Sequence, residues 1–162
     1  MSPSVPWSEF ESSEPGLAGR VAARFLCHPH HGLAVLAPDG RPRVWGSNIY
    51  LSGGELWFGA MPGALRTDDL RRDGRVAVHS APLSEELDGG DAKIEGIARV
   101  LGAASSAAWM ERHLARPPGE EPPQGDVSLV SLCRVVLTEV GQAGLVVTTW
   151  EPDRGVRIVQ RA

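Results

Sequence analysis

The chain has 162 residues, of which 42% are hydrophobic, with a net charge of −4 and a pI near 5.7. Its apolar content suits one packed domain over residues 1–162, no stretch approaches the roughly 20 apolar residues of a membrane span, and the acidic balance argues against a nucleic-acid partner, whose binders carry a strong positive excess. The opening MSPSVPWSEFESSEPG has neither the basic start nor the apolar centre of a secretory signal, so a cytoplasmic address without a membrane partner is expected.

The first element is a helix over about residues 14–26. EPGLAGRVAARFL spaces Leu17, Val21, Ala22 and Phe25 at helical intervals and carries Pro15 near its start, where proline is tolerated, with Trp7 and Phe10 as an aromatic lead-in. A barrel over about residues 31–161 follows. GLAVLA (32–37) reads as a short buried strand, PDG as hairpin-turn chemistry, RVWGSNIY (43–50) as the return strand, SGG as a second tight turn and ELWFGA (55–60) as a third strand. Taken as a meander, these strands place the second beside the third.

MPGALRTDDLRRDGRVAVHS (61–80) then holds a short charged helix starting near Ala64 and a fourth strand from Arg75 to Ser80. A polar loop, PLSEELDGGD, leads to a fifth strand over 92–101, and SSAAWMERHLA is a helix with Ser105 or Ser106 as its N-cap. RPPGEEPPQGD carries too much proline for regular structure, and SLVSLCRVVLTEV, LVVTTW and GVRIVQR are three closing strands. Many antiparallel strands, short turns and few peripheral helices make a mainly β chain, a small barrel rather than a parallel sheet.

The usual catalytic motifs do not occur: there is no G-x-S-x-G elbow, Walker loop, H-E-x-x-H or paired-cysteine spacing. Cys27 and Cys133 lie far apart and are expected as buried thiols rather than as a disulfide or metal site. His28, His30 and His31 lie close together without an accompanying carboxylate, which favours a polar connector over a metal or haem site. Asp68, Asp69 and Asp73, interleaved with Arg66, Arg71, Arg72 and Arg75, read as a charge-balanced exposed face. Anion binding remains. Pro62 and Gly63 precede a helix whose first N–H groups point back to the end of the third strand, and Arg66 in its first turn opposes the helix dipole unless an anion lies between them. Arg43 opens the neighbouring strand, so Arg43, Arg66 and the helix start are expected to converge on one phosphate, with solvation of both arginines as the alternative.

In this order of elements, GLAVLAPDGRPRVW, GGELWFGAMPGALRTDDLRRDGRVAV, GDAKIEGIARV and the closing TWEPDRGVRIVQR, the chain from about Trp7 to Arg161 resembles the pyridoxamine 5'-phosphate oxidase-like, FMN-binding split-barrel family, in an actinobacterial type. The resemblance implies an antiparallel split β-barrel that works as a homodimer with its flavin in a groove between subunits. It places the flavin-binding positions on Arg43, on Val44, Trp45, Gly46 and Ser47, on Gly59 and Ala60, and on Leu65 and Arg66, with Trp150 and Arg161 reaching the flavin from the other subunit. Trp150 also shares a strand face with Val146 and Thr148, which a core position would equally explain.

Departures from the family separate the chain from a true pyridoxamine phosphate oxidase. Asn48 stands where those enzymes carry a lysine, Val159 stands for the histidine of their closing Arg-x-His-x-Arg, and Ala64 and Leu65 replace the Ser-Arg that usually precedes the cation at Arg66. The expectation is therefore an oxidoreductase that binds FMN, or the deazaflavin coenzyme F-420, and acts on a small-molecule substrate of unspecified identity. No acid–base residue need be visible, because the ring does the redox chemistry. The alternative is a split-barrel dimer without redox activity that holds no cofactor, haem (through His28, His30, His31 or His79) or another ligand.

Overall fold

A computed structural model describes residues 3–81, 84–87 and 89–161. The expected polar loop thus falls partly, at Pro82, Leu83 and Asp88, outside the described residues.

Two helices open the chain, α1 (Trp7–Ser13) and α2 (Pro15–Leu26). The aromatic lead-in is itself a helix. Trp7 and Phe10 are both buried and meet edge to face, ring centroids 5.3 Å apart. In α2, Pro15 sits where its missing N–H costs nothing, and Leu17, Ala18, Val21 and Phe25 form the single buried stripe that a 3.6-residue period allows.

Among the described residues nine strands follow in one antiparallel sheet: β1 (His30–Leu36), β2 (Pro42–Asn48), β3 (Tyr50–Ser52), β4 (Glu55–Ala60), β5 (Arg75–His79), β6 (Asp91–Val100), β7 (Asp126–Gly141), β8 (Gly144–Glu151) and β9 (Gly155–Arg161). The order is β2-β1-β5-β6-β7-β4-β3, with β8 on the second half of β7 and β9 on β8. The sixteen-residue β7 is the spine. One edge takes β6 along almost its whole length, while the other takes β4 (Leu56 opposite Val130) and then β8 (Val135 opposite Trp150).

The expected meander does not form. The second strand breaks at Ile49, a buried residue, and resumes as β3, so β4 crosses the barrel to pair with β7 instead of β2. Gly53 and Gly54, both at positive φ, make the two-residue hairpin turn that redirects the chain. Leu56 and Phe58 enter the main core from β4, alongside Phe10, Phe25, Leu33, Ile94 and Leu132. Each such side chain, fully buried, contributes about 1.5–3 kcal/mol. The consequence is a split: β2 and β4 face one another without hydrogen-bonding as strands.

Two helices cover the ends. α3 (Leu65–Arg72) bridges β4 and β5, and α4 (Ala103–His113) shields a second core of Trp57, Leu101, Met110, Val127 and Leu129. Ser106 is not the N-cap, a position held by Gly102. It is buried inside α4, where its hydroxyl accepts the Val127 N–H at 3.0 Å and donates to the Leu101 carbonyl at 3.4 Å.

Candidate functional site

The split between β2 and β4 holds a cleft of about 300 Å³, walled by Gly46, Ser47 and Asn48 of β2, Gly59 and Ala60 of β4, and Arg66 of α3, with His30, Tyr50, Met61, Met110, Pro123 and Gln124 at its margins. Arg66 is the bridge across it. Gly63, at φ +72°, turns the chain so that α3 starts beside the end of β4. From that first turn the half-buried guanidinium donates to the Gly46 carbonyl at 3.4 Å and to the Gly59 carbonyl, and lies 5.8 Å from the Phe58 ring centroid. Burial pushes its pKa below the ordinary value, because water no longer solvates the charge fully. Among the described residues no carboxylate lies within 4.0 Å of it.

Arg43 does not converge on the same point. Its guanidinium donates to Asp69 Oδ2 at 2.8 Å, while Arg72 donates to Asp69 Oδ1 at 3.0 Å. Asp69 is therefore not on an exposed face: its side chain is 1% exposed. Burial alone would raise its pKa, but the hydrogen bonds and charges of Arg72 and Arg43 outweigh that and hold the carboxyl below its usual range. Asp68 and Asp73 do stay near the surface, Asp68 with Arg71 at 3.4 Å and Asp73 gripped by Arg75 at 2.6 Å.

The cleft thus brings together Gly46, Ser47, Gly59, Ala60 and Arg66, and leaves the other candidates elsewhere. Val44 projects outward from β2, 76% exposed, and Leu65 is 51% exposed. Trp45 packs half-buried on the main core. Trp150 is in the core, its ring centroid 4.5 Å from that of Phe10. Arg161 lies on β9 in a separate groove of about 380 Å³ with Arg157, Thr149 and Val159.

The histidines divide. Buried His31 has Nε2 at 3.0 Å from the Phe25 carbonyl and accepts the Ala81 N–H on Nδ1 at 3.0 Å. Both nitrogens are committed, which fixes the neutral tautomer, and burial lowers its pKa. His79 lies 3.3 Å from Asp91, which also binds Lys93 at 2.9 Å. No group of three metal-ligating side chains occurs among the described residues. His30, by contrast, belongs to the cleft. Its Nδ1 donates to Asn48 Oδ1 at 2.9 Å, and Asn48 Nδ2 donates to the Tyr50 hydroxyl at 3.4 Å. Sequence patterning alone does not join these three residues; the β1–β2 hairpin register, which sets His30 opposite Asn48, is the signal for the row.

No family model and no curated protein matches the chain. Solved structures do. A pyridoxamine 5'-phosphate oxidase-related, FMN-binding protein from Nostoc punctiforme aligns with a TM-score of 0.62 at 12% identity over 92% of this chain and 96% of its own. A heme-binding protein from Mycobacterium smegmatis gives 0.58 at 21% identity over 80% of this chain and 57% of its own. An F-420 reductase gives 0.51 at 16% identity over 70% and 94%. At such identities the likeness is one of fold, and the chain has the split β-barrel fold of the pyridoxamine 5'-phosphate oxidase-like, FMN-binding proteins.

Proposed function

We propose that the chain is an oxidoreductase of the pyridoxamine 5'-phosphate oxidase-like family that binds FMN, with coenzyme F-420 as the alternative, and acts as a cytoplasmic homodimer on a small-molecule substrate. One observation carries this reading: Arg66 is a half-buried cation in a cleft, satisfied only by carbonyls, with no carboxylate partner among the described residues. Such a group seeks an anion, and a phosphate carried by a flat ring supplies one. The residues present fit that ligand. Gly46, Gly59 and Ala60 line the two sides of the cleft with little or no side chain, and Arg66 supplies the counter-charge. The bound ring would carry the redox chemistry, while the chain would position it and exclude water.

The homodimer is supported by exposed apolar surface. Val44, Met61 and Leu65 are 76%, 79% and 51% exposed, Ile158 is 65% exposed on β9, and an apolar groove of about 650 Å³ runs over Ala34, Ala77, Ile97 and Cys133 on the outer sheet face. Isologous pairing would cover these surfaces and bring the Arg161 groove of one subunit toward the other. A cytoplasmic setting accords with two free thiols, Cys27 and Cys133. Among the described residues no helix is long and apolar enough to cross a membrane.

Titration of the protein with FMN and with F-420, read as perturbed ring absorbance and as thermal shift, tests the reading. Saturable binding of either supports it, and binding of neither removes it. Sedimentation at micromolar concentration should show a dimer. The second reading, a dimer without redox activity, draws on the Arg43–Asp69 pair, which withdraws one expected phosphate ligand from the site. A Soret band on haem titration would favour its haem-binding form, for which His31 offers no free nitrogen.

A further inference from the structure

With Arg43 held by Asp69, the cleft retains a single guanidinium among the described residues, whereas a phosphate monoester carries up to two negative charges. His30 lines the same cleft. Its ring lies over Gly46, and Nε2 fills the space that a Cβ at that position would require. Arg66 reaches the carbonyl of the same residue. Because Nδ1 donates to Asn48 Oδ1 at 2.9 Å, the neutral ring carries its lone pair on Nε2, at the cleft.

Arg66 is the charged side chain that shares the cleft with His30 among the described residues; Tyr50 lines it too, His28 accepts the His30 backbone N–H at 3.3 Å on its unprotonated Nδ1, and the adjacent His31 is held neutral. No carboxylate lines the cleft among the described residues. Without an anion, a second positive charge there meets Arg66 and nothing opposing it. With an anion bound, the same proton is stabilised by the ligand and by Asn48.

We infer that His30 is the second cation of this cleft: a phosphate monoester bound beside Arg66 draws one proton from solvent onto His30 Nε2, so that anion binding and proton uptake are coupled. The inference rests on reading the cleft as a phosphate site and adds the residue and the proton that complete it. Asn48 is then a positioning residue, holding the ring over Gly46 with Nε2 turned to the ligand.

The test uses the full chain and three probes: FMN, riboflavin, which lacks the phosphate, and inorganic phosphate. Between pH 8 and pH 5.5 the affinity of wild-type protein for FMN should rise about tenfold more than that of His30→Gln, which corresponds to one coupled titration displaced by about a pH unit. The phosphate's own ionisation is common to both proteins and cancels in that comparison. Riboflavin should show no difference between them. In wild-type protein the His30 Cε1–H resonance should titrate at higher pH when inorganic phosphate is added, a readout that does not depend on a variant folding. Parallel FMN profiles for wild type and His30→Gln would overturn the inference and leave the flavin reading standing. If FMN fails to bind while phosphate still shifts the His30 titration, the flavin reading falls and the inference stands. An unmoved His30 resonance in saturating phosphate would overturn it outright.

Discussion

Arg43 and Asp69 meet at 2.8 Å, a strand residue and a helix residue 26 positions apart joined around a carboxylate that is 1% exposed. Asp69 is one of three buried residues on α3, with Thr67 and Leu70, so the pair and the packing of Leu70 together hold the helix against the sheet. A buried carboxylate is costly unless its oxygens are matched, and here Arg43 takes Oδ2 and Arg72 takes Oδ1. The residue that the resemblance assigns to a flavin phosphate is thus part of the scaffold that places Arg66.

Arg43→Ala should destabilise the fold by about 2 kcal/mol, the scale of one hydrogen bond to a charged group, with Arg72 still covering the other oxygen. Urea unfolding measures this. Asp69→Ala, which leaves both guanidiniums without their carboxylate, should loosen α3 and weaken cofactor binding by displacing Arg66. A loss of binding in Arg43→Ala at unchanged stability would instead place Arg43 at the phosphate.

Two steps of acid destabilisation should be visible. His31 is held neutral: burial opposes its charge, and protonating Nδ1 would break the Ala81 bond. Its folded pKa lies below the unfolded value near 6.5, so its contribution is present above that pH and is lost as pH falls toward the folded value. The carboxyls act lower. Asp73, bonded to Arg75, is lowered to about 2, and Asp69, bonded to Arg72 and Arg43, is lowered as well, so both contribute fully above about pH 4 and lose that contribution as the pH falls through their folded values. Unfolding free energies between pH 8 and pH 2 should decline in these two stages. His31→Gln should abolish the first and spare the second.

The difference between what the sequence disclosed and what it hid follows from range. The strand ELWFGA is bounded by a Gly-Gly turn and a Pro-Gly pair, local punctuation that can be read directly, and it forms over the same residues, 55–60. Its partner cannot be read that way, because β4 lies on β7, far along the chain, and a break at Ile49 decides the matter. The same holds at the site. Arg66 is legible from its place in the first helical turn, whereas Asp69 looks like one more member of a mixed-charge face until β2 brings Arg43 against it. His30 becomes a cleft residue only through the hairpin register that sets it opposite Asn48.

Ser106 and Trp150 test the scaffold away from the cleft. Ser106→Ala would leave the buried Val127 N–H without its acceptor and should cost about 1–3 kcal/mol. Trp150→Ala opens a cavity beside Phe10 and should cost about 3–5 kcal/mol. If Trp150 also reached the flavin of a partner subunit, Trp150→Phe, which keeps most of the packing, would still weaken cofactor binding. The core position predicts that Trp150→Phe binds as wild type does.

The arginines of α3 separate a phosphate contact from a general positive field. Arg66, Arg71 and Arg72 carry the same charge on one eight-residue helix. Arg71 is paired with Asp68 at 3.4 Å and Asp126 at 3.1 Å, and Arg72 with Asp69 at 3.0 Å, whereas among the described residues Arg66 meets only carbonyls and the Phe58 ring. A bound phosphate would give Arg66 an anionic partner that the described residues do not supply and would find the other two already neutralised. Arg66→Ala should therefore weaken FMN or F-420 binding about ten- to a hundred-fold, the equivalent of roughly 1.5–3 kcal/mol for one charge-assisted contact. Arg71→Ala should leave affinity within about two-fold, since screening leaves little of an exposed, paired charge to be felt at a distance. Arg72→Ala should act on stability more than on affinity, because it exposes Asp69 to half of its desolvation cost. Equal, modest losses in all three variants, fading with added salt, would show that only the field of the helix matters and would remove Arg66 from the site.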